Sequence, residues 1–277
     1  MRVTRLSWMW VCLSGLAGCG GATQTAAPAP APVASASAEP AKPEPAPAAA
    51  SAQPPPAGVA PGAEPKPDSP PPGASPTRLM HAHLTDALLI RKAVIAGTPE
   101  HAAAPAEALA KAENPADLPA NWRASVERMQ QIAGRINNST SAAQAAGATA
   151  DLGVACGGCH QTLGGPKASS EPPPPEGTTL TDRMQRHVWA TERLWEGLTV
   201  PSADAWNAGV KALSASPFPP EVLKQGGVHG RSAAKDFTKL VVKAPSKKTV
   251  EERAALYAEL LVTCGSCHRA INEAGSK

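Results

Sequence analysis

The chain is short of aromatic residues, which make up 3% of its 277 positions, and it lacks period-two runs of β-branched side chains. Strands are built from such residues, so both shortages argue against a sheet. It also lacks a basic stripe interleaved with aromatics. Its 26 Lys and Arg are scattered among 23 Asp and Glu, for a formal charge of +3, which leaves nucleic-acid binding without support. No apolar run is long enough for a bilayer-spanning helix; the best candidate, Leu6 to Leu16, is about half the length required. Cysteine is sparse as well. Of the six, Cys12 and Cys19 lie near the N-terminus, and the other four fall into two identical spacings that leave none over for structural disulfides.

What is present divides the chain into five parts. Arg2 and Arg5 precede the apolar run, which ends in Leu16-Ala17-Gly18-Cys19. A charged start followed by a short apolar stretch reads as a secretory signal over residues 1–18. Its end resembles a bacterial lipobox, which implies cleavage before Cys19 and lipidation of that residue. The expected location is therefore a membrane facing the periplasm. Gly20, in place of an inner-membrane retention aspartate, favours the outer membrane. Residues 19–76 are dominated by Ala, Pro, Ser and Gly and cannot bury enough apolar surface to offset the entropy of ordering, so they read as a disordered tether. Residues 77–165 and 180–277 are rich in Ala, Leu, Glu and Arg and read as helix. Between them, residues 166–179 form a linker carrying Pro172-Pro173-Pro174-Pro175.

The two helical regions are copies of one another. A shift of 104 residues brings Met80 onto Met184, His83 onto His187, Thr98 onto Ser202 and Leu109 onto Leu213. Beyond the middle the shift becomes 108, matching Met129 with Phe237 and Cys156 with Cys264, so the second copy carries a four-residue insertion. Duplication is the simplest account. Thr77 and Thr181 are expected to cap a first helix, and Thr98-Pro99 and Ser202 to open a second. A third covers about 122–136 and 232–242. Ser141 with Gln144, and Thr249 with Glu252, are capping-box patterns opening a last helix. The expected fold is all-α, as two tandem four-helix bundles.

Each last helix runs into a chemical motif, Cys156-Gly157-Gly158-Cys159-His160 and Cys264-Gly265-Ser266-Cys267-His268. C-x-x-C-H reads as covalent attachment of haem c. Two thiols about one turn apart add to the two vinyl groups of a haem, and the adjacent histidine binds the iron. A four-cysteine zinc site would not require the following histidines, thioredoxin-like chemistry needs a βαβ context, and disulfide staples leave the histidines unexplained. Placement of the motif on a last helix, with nine residues after His268 and no Met among them, resembles class II c-type cytochromes, the cytochrome c′ group. That resemblance covers Thr77 to Gly164 and Leu180 to Lys277. It implies a four-helix bundle whose first helix covers the distal face of the haem.

The expected cofactors are two haems c, with His160 and His268 as proximal ligands. On the first helix Met80, His83, Ala87, Ile90 and Val94 recur at helical spacing, as do Met184, His187, Thr191, Leu194 and Leu198, so each set shares a face. His83 and His187 are the first candidates for the distal ligand, and Met80 and Met184 the alternatives. His81 reads as solvated, His101 and His229 as structural or surface residues, and Trp122, Trp189, Trp195 and Trp206 as packing. The expected function is electron transfer between redox partner proteins of the cell envelope, without catalysis. The alternative is a nitric oxide- or carbon monoxide-binding protein, or a haem enzyme, with an open distal site.

Overall fold

The computed structural model describes residues 76–114, 118–174 and 176–275. The signal segment, Cys19 and the tether up to residue 75 lie outside the described residues. Within them there is no strand. Nine α-helices follow one another: α1 Pro76–Ala96, α2 Ala103–Ala110, α3 Ala120–Asn137, α4 Ala142–Leu163, α5 Leu180–Thr199, α6 Ala203–Ser214, α7 Pro220–Gln225, α8 Gly227–Lys243 and α9 Val250–Gly275. Short 3-10 turns precede α2 (Pro99–Ala102) and α9 (Ala244–Ser246). The duplication is visible in this order, with α1 to α4 matched by α5, α6, α8 and α9. The extra short helix α7 falls in the region of the four-residue insertion.

Three of the six expected helix starts are where the polar residues put them. Ser141 accepts the Gln144 amide at 3.2 Å and Ser202 accepts that of Ala205 at 3.1 Å. Thr249 and Glu252 close a reciprocal box, the Glu252 amide on Thr249 Oγ1 at 3.2 Å and the Thr249 amide on Glu252 Oε2 at 3.1 Å, so two orphan amides are satisfied together. The second-copy cap is not Thr181 but Thr179, paired with Asp182 in a full capping box; only Thr179 has an acid at the third helical position. In the first copy α1 already begins at Pro76, so Thr77 lies inside its first turn. Thr98 makes no side-chain cap. Its hydroxyl instead turns back to the Ala93 carbonyl at 3.4 Å, and Pro99 opens a 3-10 turn.

Neighbouring helices pair as hairpins, α1 with α2, α3 with α4, α5 with α6 and α8 with α9. The copies also interlock, because α4 packs along α9. Ala145, Ala146 and Ala150 of α4 and Leu256, Tyr257, Leu260 and Leu261 of α9 are all buried in the core. The first helices then cross over. α1 packs more extensively on α9 than on α4, and α5 more on α4 than on α9. Where the four meet, Trp195 of α5 is 4% exposed, beside Tyr257 of α9 and Arg91 of α1.

The segment joining the copies is strapped to α5. Arg193 donates to the Ser169 carbonyl at 3.0 Å, Glu196 accepts the Ser169 amide, and Arg193 and Glu196 pair at 2.7 Å. Arg186 reaches the Pro174 carbonyl at 3.1 Å. Both arginines are buried; Arg193 pairs with Glu196 of its own helix, and the strap adds the Ser169 and Pro174 carbonyls as acceptors.

Candidate haem-attachment sites

Both C-x-x-C-H motifs lie on continuous helix, the first ending three residues before the last residue of α4, Leu163, and the second well inside α9. The four thiols are free. Burial, with the neighbouring cysteine adding to it, pushes Cys156 and Cys264 up to about 12. Burial also raises Cys267. Among the described residues no group of three or more His, Cys, Asp or Glu side chains converges as a cage for a bare metal ion, so the two pairs of thiols are not gathered into a zinc-type site.

The histidines are held in a specific way. His160 Nδ1 lies 2.7 Å from the carbonyl oxygen of Thr199, and His268 Nδ1 lies 2.8 Å from that of Ile95. A carbonyl can only accept, so in a neutral ring Nδ1 carries the proton and donates it. The Nε2 lone pair is then the one left for a metal. Histidine ligands of metals are typically oriented by this kind of bond. Ile95 and Thr199 are the same position of the repeat, 104 residues apart. Each carbonyl belongs to the first helix of the copy that does not contain the histidine.

Close approach of these helices depends on the first residue after the leading cysteine, which is glycine in both motifs. A Cβ on Gly157 would stand 2.1 Å from the Leu198 carbonyl oxygen, and one on Gly265 would stand 2.6 Å from that of Val94. Val94 and Leu198 are again equivalent. Backbone atoms cannot yield as a side-chain tip does, so any larger residue would separate the helices. The second intervening residues, Gly158 and Ser266, are exposed and free of this constraint.

On the distal candidates the copies differ. His83 is 6% exposed, neither ring nitrogen has a hydrogen-bond partner, and burial lowers its pKa to about 4. A buried neutral imidazole with both nitrogens unpaired is costly and is suited to coordinating a metal. Its equivalent His187 is already engaged. Its Nε2 lies 2.6 Å from the Ser216 carbonyl, and its ring stacks on Phe237 (centroids 5.2 Å apart) and meets Phe218 edge-on at 5.0 Å. Burial above all, followed by the charges of His268 and Arg183, lowers its pKa against the raising effect of that bond.

Met80 and Met184 are half-buried. Met184 lines an outer groove with Leu180, Val188 and Trp189 beneath Pro172 and Pro174, so it does not share the aromatic surroundings of His187. His81, His101 and His229 are exposed, as are Arg123 and Arg231. Trp189, Trp195 and Trp206 are buried, and Trp122 packs at the edge of the core.

Three participants have no side-chain signature in the sequence. The Ile95, Thr199 and Ser216 carbonyls are main-chain atoms. The one legible trace was the glycine at the same place in both motifs. Asp86, buried one turn after His83, lacks a counterpart in the second copy, where Ala190 stands, and one of its oxygens has no partner.

No helix among the described residues is long and apolar enough to cross a membrane. Comparison of the chain with models of protein families, with curated proteins and with solved structures returns no match.

Proposed function

We propose that the chain is a dihaem c-type cytochrome, a duplicated relative of the class II cytochromes c, that carries electrons in the cell envelope. The observation that bears most weight is the pair of motif histidines, each with Nδ1 fixed to a carbonyl so that Nε2 is the free nitrogen. Disulfide stapling gives no reason for that arrangement to occur twice at equivalent positions, and among the described residues the two pairs of thiols do not converge as a zinc site would need. In this reading Cys156 and Cys159 hold one haem through thioether bonds and Cys264 and Cys267 the other, with His160 and His268 as proximal ligands. Cys19 anchors the chain by lipid, and its partners are redox proteins of the same compartment.

Bound haem supplies a one-electron ferric/ferrous couple. The chain's own residues set its environment. The Thr199 and Ile95 carbonyls fix the rotation of the proximal rings and make them stronger donors. His83, buried and unpaired, would supply a second protein ligand to the iron held by the first motif. The α4–α9 interface holds both attachment helices in one core, which limits reorganisation as charge changes.

A second reading applies to the second copy alone. The bond from His187 Nε2 to the Ser216 carbonyl occupies the nitrogen that bis-histidine ligation would use, which favours an open distal site able to bind carbon monoxide or nitric oxide.

Absorption spectra of the full chain, ferric and ferrous, with and without carbon monoxide, test both readings. Two covalent haems with low-spin bands indifferent to carbon monoxide support a pure carrier. One carbon monoxide bound per chain supports an open second site. Absence of covalent haem from protein made in a host that assembles c-type cytochromes defeats the proposal.

A further inference from the structure

We infer that the two haem sites are built by exchange, each proximal histidine being positioned by the first helix of the other copy. This rests on the cytochrome reading above and goes beyond it. In an arrangement of two independent bundles, α1 would serve the motif on α4 and α5 that on α9. Instead, three sets of contacts run across the copies in both directions. The Ile95 carbonyl holds His268 and the Thr199 carbonyl holds His160. Gly265 lies against the Val94 carbonyl and Gly157 against that of Leu198. The turn after α1 touches α9 at Gly97, and the turn after α5 touches α4 at Pro201. Such reciprocal contacts are the mark of a two-fold, self-complementary interface, here formed within one chain by the duplicated halves.

The α1 end of the exchange is clasped further. Gly97 adopts φ +79°, a left-handed conformation that turns the chain off α1 beside α9, which a side chain would strain. Its carbonyl accepts two hydrogen bonds from Arg269, at 3.1 and 2.8 Å. A Cβ at Gly97 would fall 2.4 Å from the Gly265 carbonyl oxygen. The Ile95 and Thr199 carbonyls are therefore positioning groups, acting on iron only through the ring they orient. Each half supplies part of the site of the other, so neither copy is complete alone.

The test uses the full chain in two single-haem forms. Cys156→Ser with Cys159→Ser leaves the second-copy haem, and Cys264→Ser with Cys267→Ser leaves the first-copy haem. Gly97→Ala, a first-copy change, is placed in each, and the midpoint potential is measured. Loosening the Nδ1–H bond makes a histidine a weaker donor and favours ferrous iron. The expected result is an upward shift of the second-copy haem and no shift of the first-copy haem. A shift confined to the first-copy haem overturns the exchange while leaving the cytochrome reading intact. Failure of either form to hold haem at its remaining motif counts against the cytochrome reading instead.

Should Gly97→Ala fail to fold, nuclear Overhauser contacts of the two imidazole rings in the haem-free wild-type chain decide the matter. Contacts from the His160 ring to Thr199 and from the His268 ring to Ile95 support the exchange, and contacts from His160 to Ile95 and from His268 to Thr199 overturn it.

Discussion

The guanidinium of Arg91 lies 6.0 Å from the ring centroid of Trp195, and these two residues are the same position of the repeat. The copies thus meet at their own equivalent residues, as they must near a two-fold axis, and they have diverged there into a cation and an aromatic ring. Arg91 also donates to the Thr191 carbonyl at 3.2 Å and stands 3.8 Å from Glu192. Its buried bond and ring contact outweigh the half-exposed ion pair. Arg91→Ala is expected to cost about 2–4 kcal/mol in urea unfolding, against about 0.5 kcal/mol or less for Glu192→Ala. Equal effects would mean that the ion pair holds the contact.

Asp86 imposes a pH dependence with a definite sign. Burial raises its pKa from 3.8 to about 6, so the folded chain binds its proton more tightly than the unfolded chain. Its stabilising contribution is complete below about pH 4 and is lost as pH rises through 6. At pH 7.5 Asp86→Asn should therefore stabilise the haem-free chain by about 1–2 kcal/mol once solvent screening is allowed for, while at pH 4 it should do little. Denaturant unfolding of both proteins at the two pH values is the check; an unchanged difference between them would mean that Asp86 titrates alike in the folded and unfolded chains.

Thiol chemistry gives a second readout of the haem-free fold. With Cys156 and Cys264 pushed up to about 12, almost no thiolate exists there at pH 8, and the thiolate is the reactive form. Iodoacetamide followed by peptide mass mapping should find both residues protected by at least tenfold relative to the urea-unfolded chain. Rapid labelling of either would mean that the ends of α4 and α9 open readily.

Removing Glu196 should release the strap. Glu196→Ala deletes the acceptor for the Ser169 amide and the partner of Arg193. Trypsin has a site at Lys167 in this segment, and cleavage there is expected to accelerate several-fold, with global stability lowered by about 1–2 kcal/mol. No change in cleavage would mean that Arg186 holds the segment unaided.

Substitution of the distal candidates should separate the copies. In the haem-loaded protein, His83→Ala is expected to add one carbon monoxide-binding haem per chain. His187→Ala is expected to leave the number unchanged and to cost about 1–3 kcal/mol through loss of the Ser216 bond and the phenylalanine contacts. The reverse pattern would assign ligation to His187.

Much of the local architecture was legible in the sequence. Ser141, Ser202 and Thr249 cap where they stand because a hydroxyl at an N-cap satisfies an amide regardless of what lies far away. The first and last helices of each copy follow from Ala- and Leu-rich periodicity, and the third from 120 to 137 and from 227 to 243 is longer than its apolar stripe suggests. Thr181 gave way to Thr179 because two threonines one turn-start apart look alike until the acid that closes the box is considered.

The chemistry of the motifs, four thiols and two histidines at fixed spacing, is local and belongs to the sequence alone. So does the duplication. Which first helix serves which motif does not, because two copies of one pattern offer the same partners to each motif, and a shift of 104 residues describes both pairings equally well. Packing decided it. Gly157 and Gly265 admit the backbone of the opposite copy, and the contacts that orient His160 and His268 are made by main-chain oxygens that every sequence possesses and that only the tertiary fold brings within 3 Å. The fates of the paired histidines were decided in the same way: His83 and His187 occupy one position of the repeat, yet Ser216, Phe218 and Phe237 satisfy one ring while the other stays buried and unpaired.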